Sequence, residues 1–121
     1  MTFMFENLDV YKAAIEFVDR TYTLCDNLKK GYLFKIIDQL QRASLSVSLN
    51  IAEGCGRTSR KERKQFYKIS RGSLFECIPI LTILHRRGTL LKDDFLFMYD
   101  LATKIGTMLN GLIRSLDKYD N

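Results

Sequence analysis

Apolar residues recur at intervals of three and four in four stretches of the chain. In the first, Leu8, Tyr11, Ile15, Val18, Tyr22 and Cys25 step 3-4-3-4-3. In the second, Leu33, Ile37, Leu40, Ser44, Val47 and Ile51 step 4-3-4-3-4. The third is less regular, with Phe66, Ile69, Ser73, Cys77, Ile80 and Leu84 sharing a face. The fourth, Phe95, Met98, Ala102, Ile105, Leu109, Leu112 and Leu116, again alternates three and four. This spacing lines up on one side of an α-helix and is the seam of helical bundles. No run alternates with period two for long enough to require a strand.

The boundaries between stretches carry their own chemistry. Asn27–Gly31, containing Lys29-Lys30-Gly31, separates the first two helices. Gly54 and Gly56 bracket the next turn, and Gly54 is expected in the left-handed conformation that closes a helix. Ser59 with Glu62 three residues on is a capping box. Arg86-Arg87-Gly88 ends the third helix, with cations at its negative end and glycine just beyond. Asp93 and Asp94 stand where acids favour the start of the fourth. Pro79 lacks an N–H and crowds the carbonyl of Phe75, which predicts a kink but no break. Four helices on short connections predict an all-α, antiparallel up-down-up-down four-helix bundle over residues 1–121 as one domain.

Composition fits this picture. The chain has 121 residues, 46% apolar and 27% charged, as an ordinary globular domain does. Met1–Val10 contains no Lys or Arg, so a secretory leader is not expected. The densest apolar stretch, Ile78–Leu84, is seven residues, far short of the roughly 20 that span a bilayer. Three cysteines, Cys25, Cys55 and Cys77, have no CxxC spacing, and there is one histidine. The expectation is a cytoplasmic protein with reduced thiols, no metal site and no cofactor. His85 reads as a helix-end residue, Cys25 and Cys77 as core, and Cys55 as a plain thiol. Apolar residues also remain off the main seams. Val10, Ala14, Phe17 and Leu24 in the first helix, and Phe97, Leu101 and Met108 in the fourth, form outward stripes expected to favour self-association.

Charge changes the picture most. The net charge is +5, yet residues 57–71 alone carry seven cations and one acid. All of the excess positive charge therefore sits in one segment. Arg57, Arg60, Lys61, Lys64, Lys68 and Arg71 follow helical spacings that put them on one broad face, with Arg63 to the side. Such a ladder suits a phosphate backbone. Tyr67, interleaved with it, is expected to stack on an unpaired base. A charged face is more often simply solvated; seven cations against one acid favour a binding surface here. No helix-turn-helix or finger spacing suggests sequence readout.

The polar residues between the seams point to structure and not to chemistry. A hairpin centred on the second turn sets residue 54 opposite 59, and Gln39 and Leu40 level with Gly72 and Ser73. Gly72 would then permit close backbone approach and Ser73 would bond Gln39. Glu53 would meet the start of the third helix or pair with Arg57 or Arg60. Gln39, Asn50, Glu53, Ser73 and Glu76 read as a polar network that fixes helix register. They contain no base and no nucleophile–base–orienter set, so no catalytic residue is assigned and no enzyme is expected.

The run from Gln39 to Gly54, with Asn50-Ile51-Ala52-Glu53-Gly54 at its end, is followed by Arg57, Ser59, Glu62, Phe66 and Arg71-Gly72-Ser73-Leu74-x-Glu76. Together with Phe5-Glu6-x-Leu8-x-Val10-Tyr11, these motifs resemble the small bacterial 23S rRNA-intervening sequence proteins. The resemblance spans most of the chain. It implies a homo-oligomeric four-helix bundle, typically a pentameric ring. It also implies a relationship to the accessory variability determinant proteins of diversity-generating retroelements. Those relatives bind nucleic acid and a reverse transcriptase through a basic surface. The chain departs from the pattern at Gln41 and Ser48, where the family often has Arg and Pro, in the loop Leu28–Gly31, and at Pro79. The expected partners are thus nucleic acid, RNA or DNA, and further copies of the chain. The alternative is a scaffold that docks an acidic or nucleic-acid-bound protein such as a reverse transcriptase. No membrane partner is expected.

Overall fold

The seam of the second stretch becomes the buried side of a helix, α2 (Phe34–Cys55), on which Ile37, Leu40, Ser44, Val47 and Ile51 all lie inside. Three more helices surround the same core: α1 (Asp9–Asp26), α3 (Arg60–Arg86) and α4 (Lys92–Asp117). Short 3-10 turns, Met4–Asn7 and Gly31–Leu33, precede α1 and α2. This computed structural model describes residues 2–28 and 31–118, so Lys29 and Lys30 of the first loop lie outside the described residues. Among the described residues there is no strand. The protein is an all-α four-helix bundle. Packing runs α1–α2–α3–α4 around the core and closes between α4 and α1.

Side-chain contacts show the directions. Ser46 and Ser73 share a hydrogen bond of 2.8 Å, and Gln39 Nε2 donates to Glu76 Oε1 at 2.9 Å, which makes α2 and α3 antiparallel. Lys64 Nζ donates to Asp117 Oδ1, and Arg71 Nη1 to Asn110 Oδ1, each at 2.8 Å, so α3 and α4 are antiparallel too. Arg20 lies over the Phe97 ring at 4.3 Å, which sets the end of α1 against the start of α4.

On α4 the expected seam holds, with Met98, Ala102, Ile105 and Leu109 buried. On α1 and α3 the buried face is turned from the expected one. In α1 the buried set is Val10, Ala13, Ala14, Phe17, Val18, Thr21 and Cys25, while Ile15 and Tyr22 are exposed. Ala13 and Ala14 are small enough for neighbouring helices to approach closely, so that side wins over the bulkier one. The outward stripes are corrected accordingly: Val10, Ala14, Phe17 and Leu101 are core, Leu24 and Met108 are half-buried, and of those named only Phe97 is exposed. In α3, Tyr67, Ser70, Leu74, Cys77, Leu81 and Leu84 are buried and step 3-4-3-4-3. Phe66 and Ser73 are half-buried and Ile69 is exposed. Ser70 Oγ donates to Val47 O at 2.8 Å, which satisfies a hydroxyl that a hydrophobic count would leave outside.

The turns are built from backbone needs. Gly54 does not close α2 in a left-handed conformation, because it is helical and α2 continues to Cys55. Its value is closeness: a Cβ there would stand 2.9 Å from Tyr67 Cε1 and 3.0 Å from Phe66 Cβ. Gly72, by contrast, has nothing within 4 Å of a Cβ position, so it makes no close approach. Ser59 Oγ accepts from the Glu62 N–H at 3.2 Å and caps α3. At the other end Gly88 has φ +75°, and Thr89 N–H bonds Leu84 O at 2.9 Å while Gly88 N–H bonds His85 O at 3.0 Å. This is a Schellman closure. His85 Nδ1–H donates to Leu90 O at 3.0 Å and its ring lies 4.8 Å from Phe95, pinning the α3–α4 loop. Helix α3 runs through Pro79 without a break.

Candidate nucleic-acid interface

The α2–α3 turn gathers the cations. Arg57 leaves the turn between two acids, paired with Glu53 and 3.9 Å from Glu62, and its guanidinium lies 4.9 Å from the centre of the Phe66 ring. Arg63 folds back, its Nε donating to Arg57 O at 2.6 Å, so it holds the turn together and stands aside from the face. Arg60 and Lys61 are exposed on the first turn of α3. Lys64, Lys68 and Arg71 continue along the side of α3 that meets α4. Lys68 is exposed, Lys64 is hydrogen-bonded to Asp117, and Arg71 to Asn110. The bond from Lys64 holds the Asp117 carboxyl below the usual carboxylate range. At 1.5 Å per residue, Arg60 to Arg71 covers roughly 16 Å of helix axis.

Tyr67 does not belong to this face. Its residue is only 5% exposed, with the ring packed over Gly54. Burial raises its phenol pKa above the usual tyrosine value, with Cys55 adding and Arg63 opposing. A base has no access to that ring, so the expected stacking role is withdrawn. The residue stands one position from the cationic row, and one position on a helix is a turn of about 100°.

Antiparallel packing adds two cations that the sequence segment did not contain. Arg114 and Lys118 are exposed at the end of α4, beside the start of α3. Arg114 shares a row of α4 with Asn110 and Asp117, the partners of Arg71 and Lys64. The Lys64–Asp117 pairing could have located them, but no short segment of sequence contains both.

The expected polar network resolves into three separate contacts. Gln39 bonds Glu76, Glu53 pairs with Arg57, and Asn50 Nδ2 donates to Ser46 O at 2.8 Å and Ser46 Oγ at 3.0 Å. Ser73 meets Ser46 and not Gln39. Side chains tilt toward the N-terminus of their own helix. Tilt shifts each antiparallel contact by only a residue or so; the larger cause is the register itself, since Gly54 stands opposite Phe66 and not, as expected, opposite Ser59. Ser46 was missed for that reason.

These observations define a small helical bundle that carries a cationic face at one end, framed by the α2–α3 turn and the end of α4. The model for the family described as "23S rRNA-intervening sequence protein" matches residues 6–111, and the chain belongs to that family. Among curated proteins none matches. A solved crystal structure of a protein of unknown function from the S23 ribosomal protein family of Bacteroides thetaiotaomicron is similar, with a TM-score of 0.78 and 21% identity. The likeness covers 86% of this chain and 97% of that one, and at this identity it speaks for the fold.

Proposed function

We propose that the chain is a non-enzymatic, homo-oligomeric accessory protein that holds nucleic acid by its phosphate backbone. The observation that carries this reading is the concentration of cations along one side of α3, with Arg60, Lys61, Lys64, Lys68 and Arg71 on the helix, Arg57 in the turn before it and Arg114 beside them on α4. Contacts of this kind neutralise phosphates without reading bases. Ribosomal RNA is the first nucleic acid to test, given the family's name. Copies associate through the outer α2/α3 face into a ring, the pentamer that the sequence resemblance implies, and the ring multiplies the cationic surface.

The test is binding of a labelled random RNA and a matched DNA duplex across salt concentration. Affinity is expected to fall with log salt by about 0.7 to 0.9 per phosphate neutralised. The triple variant R60E/K61E/K68E reverses three exposed cations, two of them in the first turn of α3, where acids are tolerated. It should lose binding and keep its circular dichroism. Wild-type binding by that variant would refute the proposal. A protein partner that stays bound to the basic face after nuclease treatment would refute it in favour of protein docking.

A further inference from the structure

The cationic row of α3 does not end in solvent. Lys64, Lys68 and Arg71 are followed one turn later, on the same side, by Phe75, which is 57% exposed. Across the groove, the α4 row that carries Asp117, Arg114 and Asn110 continues through Thr107 and Thr103 to Tyr99, itself 45% exposed. Between the two rows lies a cavity of about 240 Å3, floored by Leu74, Ala102 and Gly106 and opening between Phe75 and Tyr99. Its cationic end is marked by the Arg71–Asn110 hydrogen bond. The α3/α4 groove is thus one continuous feature, charged in one half and aromatic in the other.

Resting on the phosphate-binding reading, we propose that the aromatic half of this groove receives an unpaired nucleobase, and that the protein therefore takes single-stranded nucleic acid in preference to duplex. Charge complementarity selects the occupant. A strand whose phosphates sit on Lys64, Lys68 and Arg71 enters the aromatic half at its next step along α3. Phe75 and Tyr99 offer π-faces there, which every base can use. The polar rim suits any base as well. Thr103 and Thr107 spend their hydroxyl protons on Tyr99 O and Thr103 O, at 2.9 and 3.0 Å, and keep lone pairs to accept. Asn110 accepts from Arg71 through Oδ1, which leaves its amide N–H groups as donors. A paired base is already stacked on its neighbours and offers no free face to the groove.

The chain contains no tryptophan, so F75W places a single indole in the groove. Three labelled probes of equal length are compared on wild type, F75A, Y99A and F75W: a single strand, its duplex, and an abasic strand. Wild type should bind the single strand about tenfold more tightly than the abasic one, within the range of one base stacked on an aromatic ring. F75A and Y99A should lose most of that factor, with abasic affinity and oligomer size unchanged. F75W emission should be quenched by the single strand and not by the abasic strand. Wild-type single-strand affinity in both alanine variants, or binding to F75W without quenching, overturns the base site and leaves phosphate binding standing. A change of oligomer size in F75A overturns it in favour of a second copy lying in the groove. Failure of wild type to bind all three probes removes the phosphate reading itself, and this inference with it.

Discussion

At Gly54 a single methyl group decides whether α2 and α3 can meet. A Cβ would stand 2.9 Å from Tyr67 Cε1 and 3.0 Å from the Cβ of Phe66, and the latter is fixed to the α3 backbone. G54A is expected to destabilise the fold by about 1–3 kcal/mol, the usual cost of overpacking. G111A, in α4 with nothing within 4 Å of the new Cβ, should instead gain up to about 1 kcal/mol from helix propensity. Denaturant midpoints of the two variants that moved in the same direction would contradict this account. The glycine itself was visible in the sequence, but its reason was not, because closeness to Tyr67 depends on how the helices pack. Cys77 is a second case. Burial, with Glu76 adding, pushes its thiol from 9.0 up to about 12. The folded thiol stays neutral where the unfolded one ionises, so its contribution is complete below about pH 9 and is lost as pH rises toward 12. At pH 8 the native protein should therefore show one fast thiol per chain, half-buried Cys55, with Cys25 and Cys77 reacting only on unfolding. Three fast thiols in the native protein would rule this out.

Helices differ in how far their pattern could be read. The buried faces of α2 and α4 match the hydrophobic spacing because their inward positions are large and apolar. Those of α1 and α3 do not, because the core admits Ala13, Ala14, Thr21 and Ser70 and turns Ile15 and Ile69 outward. Thr21 Oγ donates to Phe17 O at 2.8 Å and Ser70 Oγ to Val47 O at 2.8 Å, so these hydroxyls enter the core without leaving an unmet bond. Apolar count alone cannot anticipate such a choice. The cationic row survives the rotation because it lies on the flank of α3 that meets α4, beside the buried face, whereas Tyr67 crosses from the face to the core. The same element carries a competitor to the proposed phosphate contacts. Asp117 offers Lys64 a carboxylate with a depressed pKa, so the pair persists as pH falls below the ordinary carboxylate range and is lost only at lower pH. D117N removes that competing charge. It is expected to raise nucleic-acid affinity and to steepen the salt slope by about 0.7 to 0.9, one further phosphate contact. An unchanged slope would mean that Lys64 does not reach the ligand.

In the whole molecule, the α2–α3 register that joins Ser46 to Ser73 also brings Leu49 level with Ile69 on the outer surface, with Leu45 one turn away. Leu49 is 58% exposed, and Gly72 beside this strip adds no side chain. A contiguous apolar strip of this kind, bordered by the Gln39–Glu76 bond, has the composition of a contact between copies. It lies on the flank of α3 away from α4, so association there leaves the α3/α4 groove open. On the proposed self-association, the double variant L49E/I69E should convert the oligomer to a monomer in sedimentation velocity, with helical content unchanged because neither side chain belongs to the core. Its effect on binding then follows from valency. A ring presents several copies of one cationic face to the same strand, and linked sites can exceed a single site by 10²–10⁴ in affinity, roughly, without any new contact. The monomer should therefore bind long RNA at least about tenfold more weakly than the ring, yet bind an oligonucleotide short enough for one face equally well. Equal loss on short and long probes would show that the charges at positions 49 and 69 act on the ligand directly. An unchanged sedimentation coefficient would place the contact between copies on another face of the bundle.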